Sequence, residues 1–173
     1  MKTKIKLILS DIDGTITDGC MYYNEVGYAF KRFEPHINSG LHMLEKAKIP
    51  IEFFTSGRKG FAISQQFARA FGVPCELVFP IEKRAEFLEK KYNEYKDEPG
   101  YFVYLGDSDW DVYVIKKVFG QVVHHLQYDT MDNLLIICPQ NSTKAMKSIS
   151  RVSNINAGEG FFYNTIYNLL KET

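Results

Sequence analysis

Short apolar runs, each closing on a polar segment that contains glycine, recur along this chain and alternate with stretches whose apolar residues fall at helical spacing. The run at 4–9 is β-prone and leads directly into acidic and glycine residues, the pattern of a buried parallel strand feeding a functional loop. Residues 49–54 repeat it and end in Thr55-Ser56-Gly57-Arg58. Residues 75–79 form a shorter central candidate, and Tyr101–Leu105 ends in Gly106-Asp107. Helical patterns lie between them at 39–48, 61–71 and 83–95. Further strands are predicted at 122–123 and 134–138, and a terminal helix at 161–170.

Strands that alternate with helices imply βαβ units, hence a parallel sheet covered on both faces in a three-layer, Rossmann-like α/β fold. Open sheets of this kind place their ligands at the C-terminal strand ends, where the polar, catalytic-looking residues of this chain fall. Residues 20–33 break the alternation. Two β-prone arms flank Asn24 to Gly27, which carries turn chemistry and predicts a hairpin inserted after the first strand. No repeat, low-complexity tract or linker marks a second domain, so residues 1–173 are expected to form one unit.

Composition narrows the partners. The 21 basic and 21 acidic residues balance to a net charge of zero, so no basic field exists to hold a polynucleotide or an anionic bilayer. No apolar run is long enough for a membrane span, and the N-terminal apolar stretch, interrupted by Lys6, is too short for a secretory signal. Cys20, Cys75 and Cys138 are odd in number and lack metal-ligand spacing, which fits a reducing cytoplasm better than a disulfide framework.

Asp11-Ile-Asp13-Gly14-Thr15 puts two carboxylates on one loop after a strand. Such a pair can hold a hard cation through oxygen ligands while one carboxylate oxygen stays free to attack phosphorus. A solvated acidic turn would read the same in isolation. Thr55-Ser56-Gly57-Arg58 offers hydroxyl and backbone N–H donors to a phosphate, though a helix cap with a surface arginine would look alike. Lys83 opens a predicted helix, and Gly106-Asp107-Ser108-Asp109-Trp110-Asp111 supplies further carboxylates at a strand end.

In this order, DxDGT, Ser-Gly-Arg, Lys and GDSxxD resemble the motifs of the haloacid dehalogenase (HAD) superfamily of aspartyl-phosphate hydrolases. The resemblance implies Asp11 as nucleophile and Asp13 as general acid/base. It implies Mg²⁺ held by Asp11, Asp107 and the backbone carbonyl of Asp13. Ser56, with Gly57 and Arg58, would bind the phosphoryl group, Lys83 would neutralise its charge, and Asp111 would support the metal site or Lys83. Asp11 and Ser56 are 45 residues apart and Lys83 and Asp107 only 24, so neither interval holds a large cap domain.

Asp11 to Gly19, the hairpin segment MYYNEVGYAFKRF, SGRKG, IEKRAEFLEK, LGDSDWD and the tail from Asn156 to Phe161 resemble more closely the 3-deoxy-D-manno-octulosonate 8-phosphate (KDO 8-P) phosphatases and their nonulosonate 9-phosphate relatives. That family implies a homotetramer assembled through the hairpins, a tail that approaches a neighbouring active site, and a small phosphorylated keto-sugar acid as substrate. Two departures leave the sugar acid open. Where the family has an Arg-Asp-Gly loop this chain reads Phe33-Glu-Pro-His36-Ile-Asn38-Ser39-Gly40, and Tyr163 falls where the tail arginine is usual. The stretch 124–138 is also longer than usual. His36 is a candidate substrate contact, with packing at the hairpin base as its alternative. His42 and the pair His124-His125 read as ordinary helix and loop residues. The rival functions are another small-molecule phosphatase, acting on a nucleotide or sugar phosphate, and a non-catalytic oligomer that binds a ligand on the same scaffold.

Overall fold

The structure is a computed structural model that describes residues 4–120 and 133–172. The expected strand at 122–123 and His124-His125 lie outside the described residues. In chain order the elements are β1 (Ile5–Asp11), β2 (Tyr22–Asn24), β3 (Gly27–Phe30), α1 (Ile37–Ala47), β4 (Ile51–Thr55), α2 (Phe61–Ala70) and β5 (Cys75–Leu77). There follow α3 (Lys83–Tyr95), β6 (Tyr101–Leu105), α4 (Asp109–Phe119), β7 (Leu134–Cys138), α5 (Lys144–Lys147), β8 (Arg151–Val152) and α6 (Phe161–Glu172). Six strands form one parallel sheet in the order β5-β4-β1-β6-β7-β8. The chain leaves β1 first toward β4 and later toward β6, so the crevice that open α/β sheets use for ligands lies at the end of β1.

All seven residues of β1 are buried, because it has strand neighbours on both edges and helices over both faces. Side-chain alternation sorts the core. Ile8, Phe53, Val103 and Ile137 pack on one face with Leu41 and Leu44 of α1, Ala68 of α2 and Phe162 and Ile166 of α6. Leu7, Leu9, Phe54, Phe102, Tyr104 and Ile136 pack on the other with Leu88 of α3 and Val112 and Ile115 of α4. A register shift between Ile5 and Leu7 sends these two to opposite faces. It also leaves buried Lys6 to donate to the carbonyls of Lys96 and Glu98.

Helix α4 is missing from the sequence reading. Its DWDVYVIKKVF segment is rich in β-branched residues, which are weak helix formers. A capping box overrides them: Ser108 Oγ and the Asp111 carboxylate close the first turn, and Val112, Val114 and Ile115 bury the inner stripe. The hairpin forms as expected, with Asn24 Oδ1 accepting the Val26 N–H in the turn and the Tyr22 and Phe30 rings stacked 4.5 Å apart. Phe33, beyond its second arm, stacks on Phe67 of α2 at 3.8 Å.

Glu34 ties this exit to the chain's end. Its buried carboxylate accepts the backbone N–H groups of Phe162 and Tyr163, both at 2.9 Å, and so caps α6. Glu34→Ala leaves these donors without acceptors, and urea unfolding is expected to show a loss of about 2–3 kcal/mol. Burial pushes Glu34 up to about 7 from its usual 4.5, the helix N–H groups opposing. The folded chain therefore holds more of this proton than the unfolded chain between those values, and the group's contribution to stability declines as pH rises through that window. Glu34→Gln should flatten that slope; an unchanged slope would place the titration elsewhere.

Candidate active site

The ends of β1 and β6 bring Asp11 and Asp107 together, and the first turn of α4 adds Asp111. One carboxylate oxygen of each lies within 4.8 Å of the others. Asp111 is already saturated. Its Oδ1 accepts from Arg84 Nη2 at 2.8 Å and the Tyr104 hydroxyl at 2.7 Å. Its Oδ2 accepts the backbone N–H groups of Asp107 and Ser108 and the Ser108 hydroxyl. Asp111 thus organises the site, leaving Asp11 and Asp107 to face an incoming ion.

Gly14 lets Asp107 approach, since a Cβ at this left-handed position (φ 86°) would stand 2.3 Å from Asp107 Oδ2. Burial pushes the Asp11 carboxyl well above the usual carboxylate range; Arg84 opposes this, while Asp111, Asp107 and Asp13 add to it. Burial, followed by Asp111, pushes Asp107 up to about 7. A buried carboxylate cluster held at this cost, with oxygen donors to spare, fits a hard divalent cation.

Asp13 lies on the cavity wall beside a second cation, Lys31, whose ammonium is 2.6 Å from Asp13 Oδ1 and 2.9 Å from Oδ2. Thr55 Oγ1 donates to the same Oδ2 at 2.8 Å and accepts the Gly57 N–H at 2.9 Å. Gly57 is needed for its size, because a Cβ there would stand 2.9 Å from Asp13 Oδ2.

The cavity above these groups measures about 590 Å³ and is lined by Asp11, Asp13, Ser56, Gly57 and Arg58 from the sequence reading. Ser56 Oγ donates to the Val78 carbonyl at 3.0 Å, and the Arg58 guanidinium lies over the Phe79 ring at 4.9 Å. Asp107 sits beneath, in contact with Gly14.

Two sequence candidates fall elsewhere. Lys83 is exposed and lines a separate shallow depression with Glu76, Glu86 and Lys90. Its neighbour Arg84 occupies the position assigned to it, buried, with Nη2 3.1 Å from Asp11 Oδ1 and 2.8 Å from Asp111 Oδ1. Consecutive helical residues point about 100° apart, so only one of the pair can face the strand end. The inner stripe of α3 is Arg84, Ala85 and Leu88. His36 is exposed, caps α1 in a left-handed conformation (φ 66°), and has its ring 5.8 Å from that of Tyr163 rather than on the cavity wall.

Arg84 and Lys31 are the functional candidates that the motif reading passed over. Both carried a signal. Arg84 stands four residues before Leu88 on the apolar stripe of its helix. Lys31 continues the two-residue alternation of the hairpin arm, between exposed Phe30 and Arg32.

No family model matches the chain. A curated relative, the KDO 8-P phosphatase KdsC of Haemophilus influenzae, is 32% identical over 79 residues, which cover 46% of this chain and 43% of the relative. The aligned stretch is therefore less than half of that protein. The KDO 8-P phosphatase of Moraxella catarrhalis, solved with magnesium, phosphate and KDO, superimposes with a TM-score of 0.76 at 20% identity, covering 98% of this chain and 87% of that one. The cobalt-bound phosphatase of Haemophilus influenzae gives 0.73 at 20% identity, over 97% and 88%. The chain shares its Rossmann-like fold with these phosphatases, and the family it resembles is that of the KDO 8-P phosphatases.

Proposed function

We propose that the chain is a metal-dependent phosphomonoesterase that forms an aspartyl-phosphate on Asp11. The observation that carries this reading is the buried Asp11 at the end of β1, facing a cavity with Asp13 and Ser56 and bound by Arg84. In the first half-reaction an Asp11 oxygen bonds to phosphorus, the ester P–O bond breaks, and its electron pair leaves with an alkoxide that Asp13 protonates. In the second, Asp13 takes a proton from water as the water oxygen bonds to phosphorus and the Asp11–P bond breaks. Arg84 offsets the charge of a phosphoryl group beside Asp11, and its buried Nε–H lacks an acceptor among the described residues, a donor in reserve for a phosphoryl oxygen. Ser56 and the backbone around Gly57 would hold the other oxygens.

Asp11 and Asp107 would hold Mg²⁺, which supplies further charge neutralisation when bound. Because Asp107 is pushed up to about 7, the cation must displace a proton at lower pH. Calorimetric Mg²⁺ affinity is expected to weaken as pH falls from 8 to 6, by roughly tenfold per displaced proton and pH unit. A pH-independent affinity would remove Asp107 from the ligand set.

The substrate we propose is a small phosphorylated keto-sugar acid such as KDO 8-P or a nonulosonate 9-phosphate, supported by the resemblance to the KDO 8-P phosphatases and by Lys31, Arg58 and Lys59 around the cavity. A single-domain, cytoplasmic homotetramer belongs to this reading, and the exposed Met21, Tyr23, Val26 and Phe30 on the hairpin support a subunit contact there. Another phosphate ester, a nucleotide included, is the second reading, favoured by the exposed Phe79 and Trp110 on the cavity wall. A panel of phosphate esters assayed with Mg²⁺ and with chelator tests both. Turnover of sugar-acid phosphates, lost with chelator, is expected; no turnover of any ester would favour a non-catalytic binding scaffold.

A further inference from the structure

We infer that Lys31 is a positioning residue that aims Asp13 at the leaving oxygen, so that the hairpin arm sets the protonation of the departing alcohol. The inference rests on the phosphatase reading above. Lys31 follows β3 directly, and its side chain is 3% exposed although it ends on the cavity wall. A lysine so buried needs acceptors, and two elements supply them. Asp13 offers both carboxylate oxygens at 2.6 and 2.9 Å, and Ser64 Oγ of α2 lies at 2.8 Å.

The placement is over-determined. Lys31 and Phe33 alternate along extended chain and point the same way, while Ser64 and Phe67 share one face of α2. Lys31 meets Ser64, and Phe33 stacks on Phe67. Ser64 Oγ in turn donates to the Gly60 carbonyl. The stack thus holds the backbone beside Lys31 against α2, while Asp13 and Ser64 hold the ammonium itself. With Thr55 Oγ1 fixed on Oδ2 from the other side, the plane of the Asp13 carboxylate is set by two elements that carry no reacting group. The Asp11 carboxylate is held by Arg84 and that of Asp13 by Lys31, so the two cations divide the two carboxylates between them.

The consequence is selective. In the first half-reaction Asp13 is needed where the alcohol must be protonated as it leaves, and hardly where the leaving group departs as a stable anion; the water-activating step is common to all esters and does not enter kcat/KM. Lys31→Met is expected to lose at least ~100-fold in kcat/KM on an alkyl phosphate, within the range for general-acid catalysis, and at least tenfold less on p-nitrophenyl phosphate. Asp13→Asn should show the same bias, and the double variant should show no greater one. Lys31→Arg should recover part of the alkyl rate. Ser64→Ala, which loosens the ammonium without removing it, should move the ratio the same way by less, and it carries the test if Lys31→Met does not fold. Equal losses on the two esters, or none, would overturn the positioning role. A wild-type protein inactive on every ester would overturn the phosphatase reading itself, and this inference with it.

Discussion

Asp11→Asn is expected to abolish phosphatase turnover, with a loss of roughly 10⁴-fold or more, while leaving the melting temperature unchanged or higher. The two halves have one cause. The Asp11 carboxyl lies buried at the end of β1, and desolvation pushes its proton affinity well up, with only Arg84 in opposition and three other carboxylates adding to the rise. An amide of the same shape removes that penalty, and Arg84 keeps its 2.8 Å bond to Asp111. It also removes the proposed nucleophile, because an amide cannot form the proposed aspartyl-phosphate. Stability that rises as activity vanishes is the signature of a group held in place for chemistry. Steady-state assay on the best ester and thermal denaturation of the same samples check both halves. Retained turnover would remove the nucleophile assignment, and a melting temperature lower by several degrees would show that the carboxylate supports the fold.

The central strands of the sheet were legible because they are buried on both faces and read as largely apolar runs, whereas the two-residue, partly exposed edge strand β8 carries no such run and was not foreseen. Tyr101–Leu105 and Leu134–Cys138 have the expected bounds, and β1 extends two residues further than its apolar run, through Ser10 to Asp11. Helix α3 was equally plain, since its Glu and Lys content is intrinsically helical. Helix α4 was not, because its start depends on Ser108 and Asp111 side chains bonding backbone that is already turning, which no window of hydropathy records. The candidate site divides in the same way. Carboxylates on loops at strand ends could be placed from order alone. Residues whose role depends on which way a side chain points could not: Arg84 rather than Lys83 faces Asp11, and His36 turns toward Tyr163. Lys31 belongs to the hairpin segment, outside the motifs, and the packing of the hairpin exit on α2, through Phe33 on Phe67 and Lys31 on Ser64, accompanies its approach to Asp13.

The pair Lys83 and Arg84 gives the second large effect and separates motif order from geometry. Arg84→Met is expected to lose at least ~10³-fold in kcat/KM, since it withdraws the buried positive charge next to the Asp11 carboxylate, the proposed nucleophile. It should also cost roughly 3–5 kcal/mol, because Asp11 and Asp111 are left buried without the guanidinium that joins them. Arg84→Lys keeps the charge but cannot bridge two carboxylates with the same planar fork, so it should regain part of the stability and part of the rate. Lys83→Ala is expected to change kcat/KM by no more than about twofold, as befits an exposed residue on the outer side of α3, and surface substitutions of this kind stay within about 0.5 kcal/mol. The four rates and unfolding energies, measured on one ester with Mg²⁺ present, decide the matter. If Lys83→Ala abolished turnover while Arg84→Met retained it, the lysine would have to reach the site in the working enzyme, with α3 turned by about 100° from its observed setting. Such a rotation would pull Ala85 and Leu88 out of the core beneath the sheet and put Arg84 into solvent, which the burial of all three opposes. The helix stripe and the charge of the site thus demand the same residue, and a single substitution at either position tests them together.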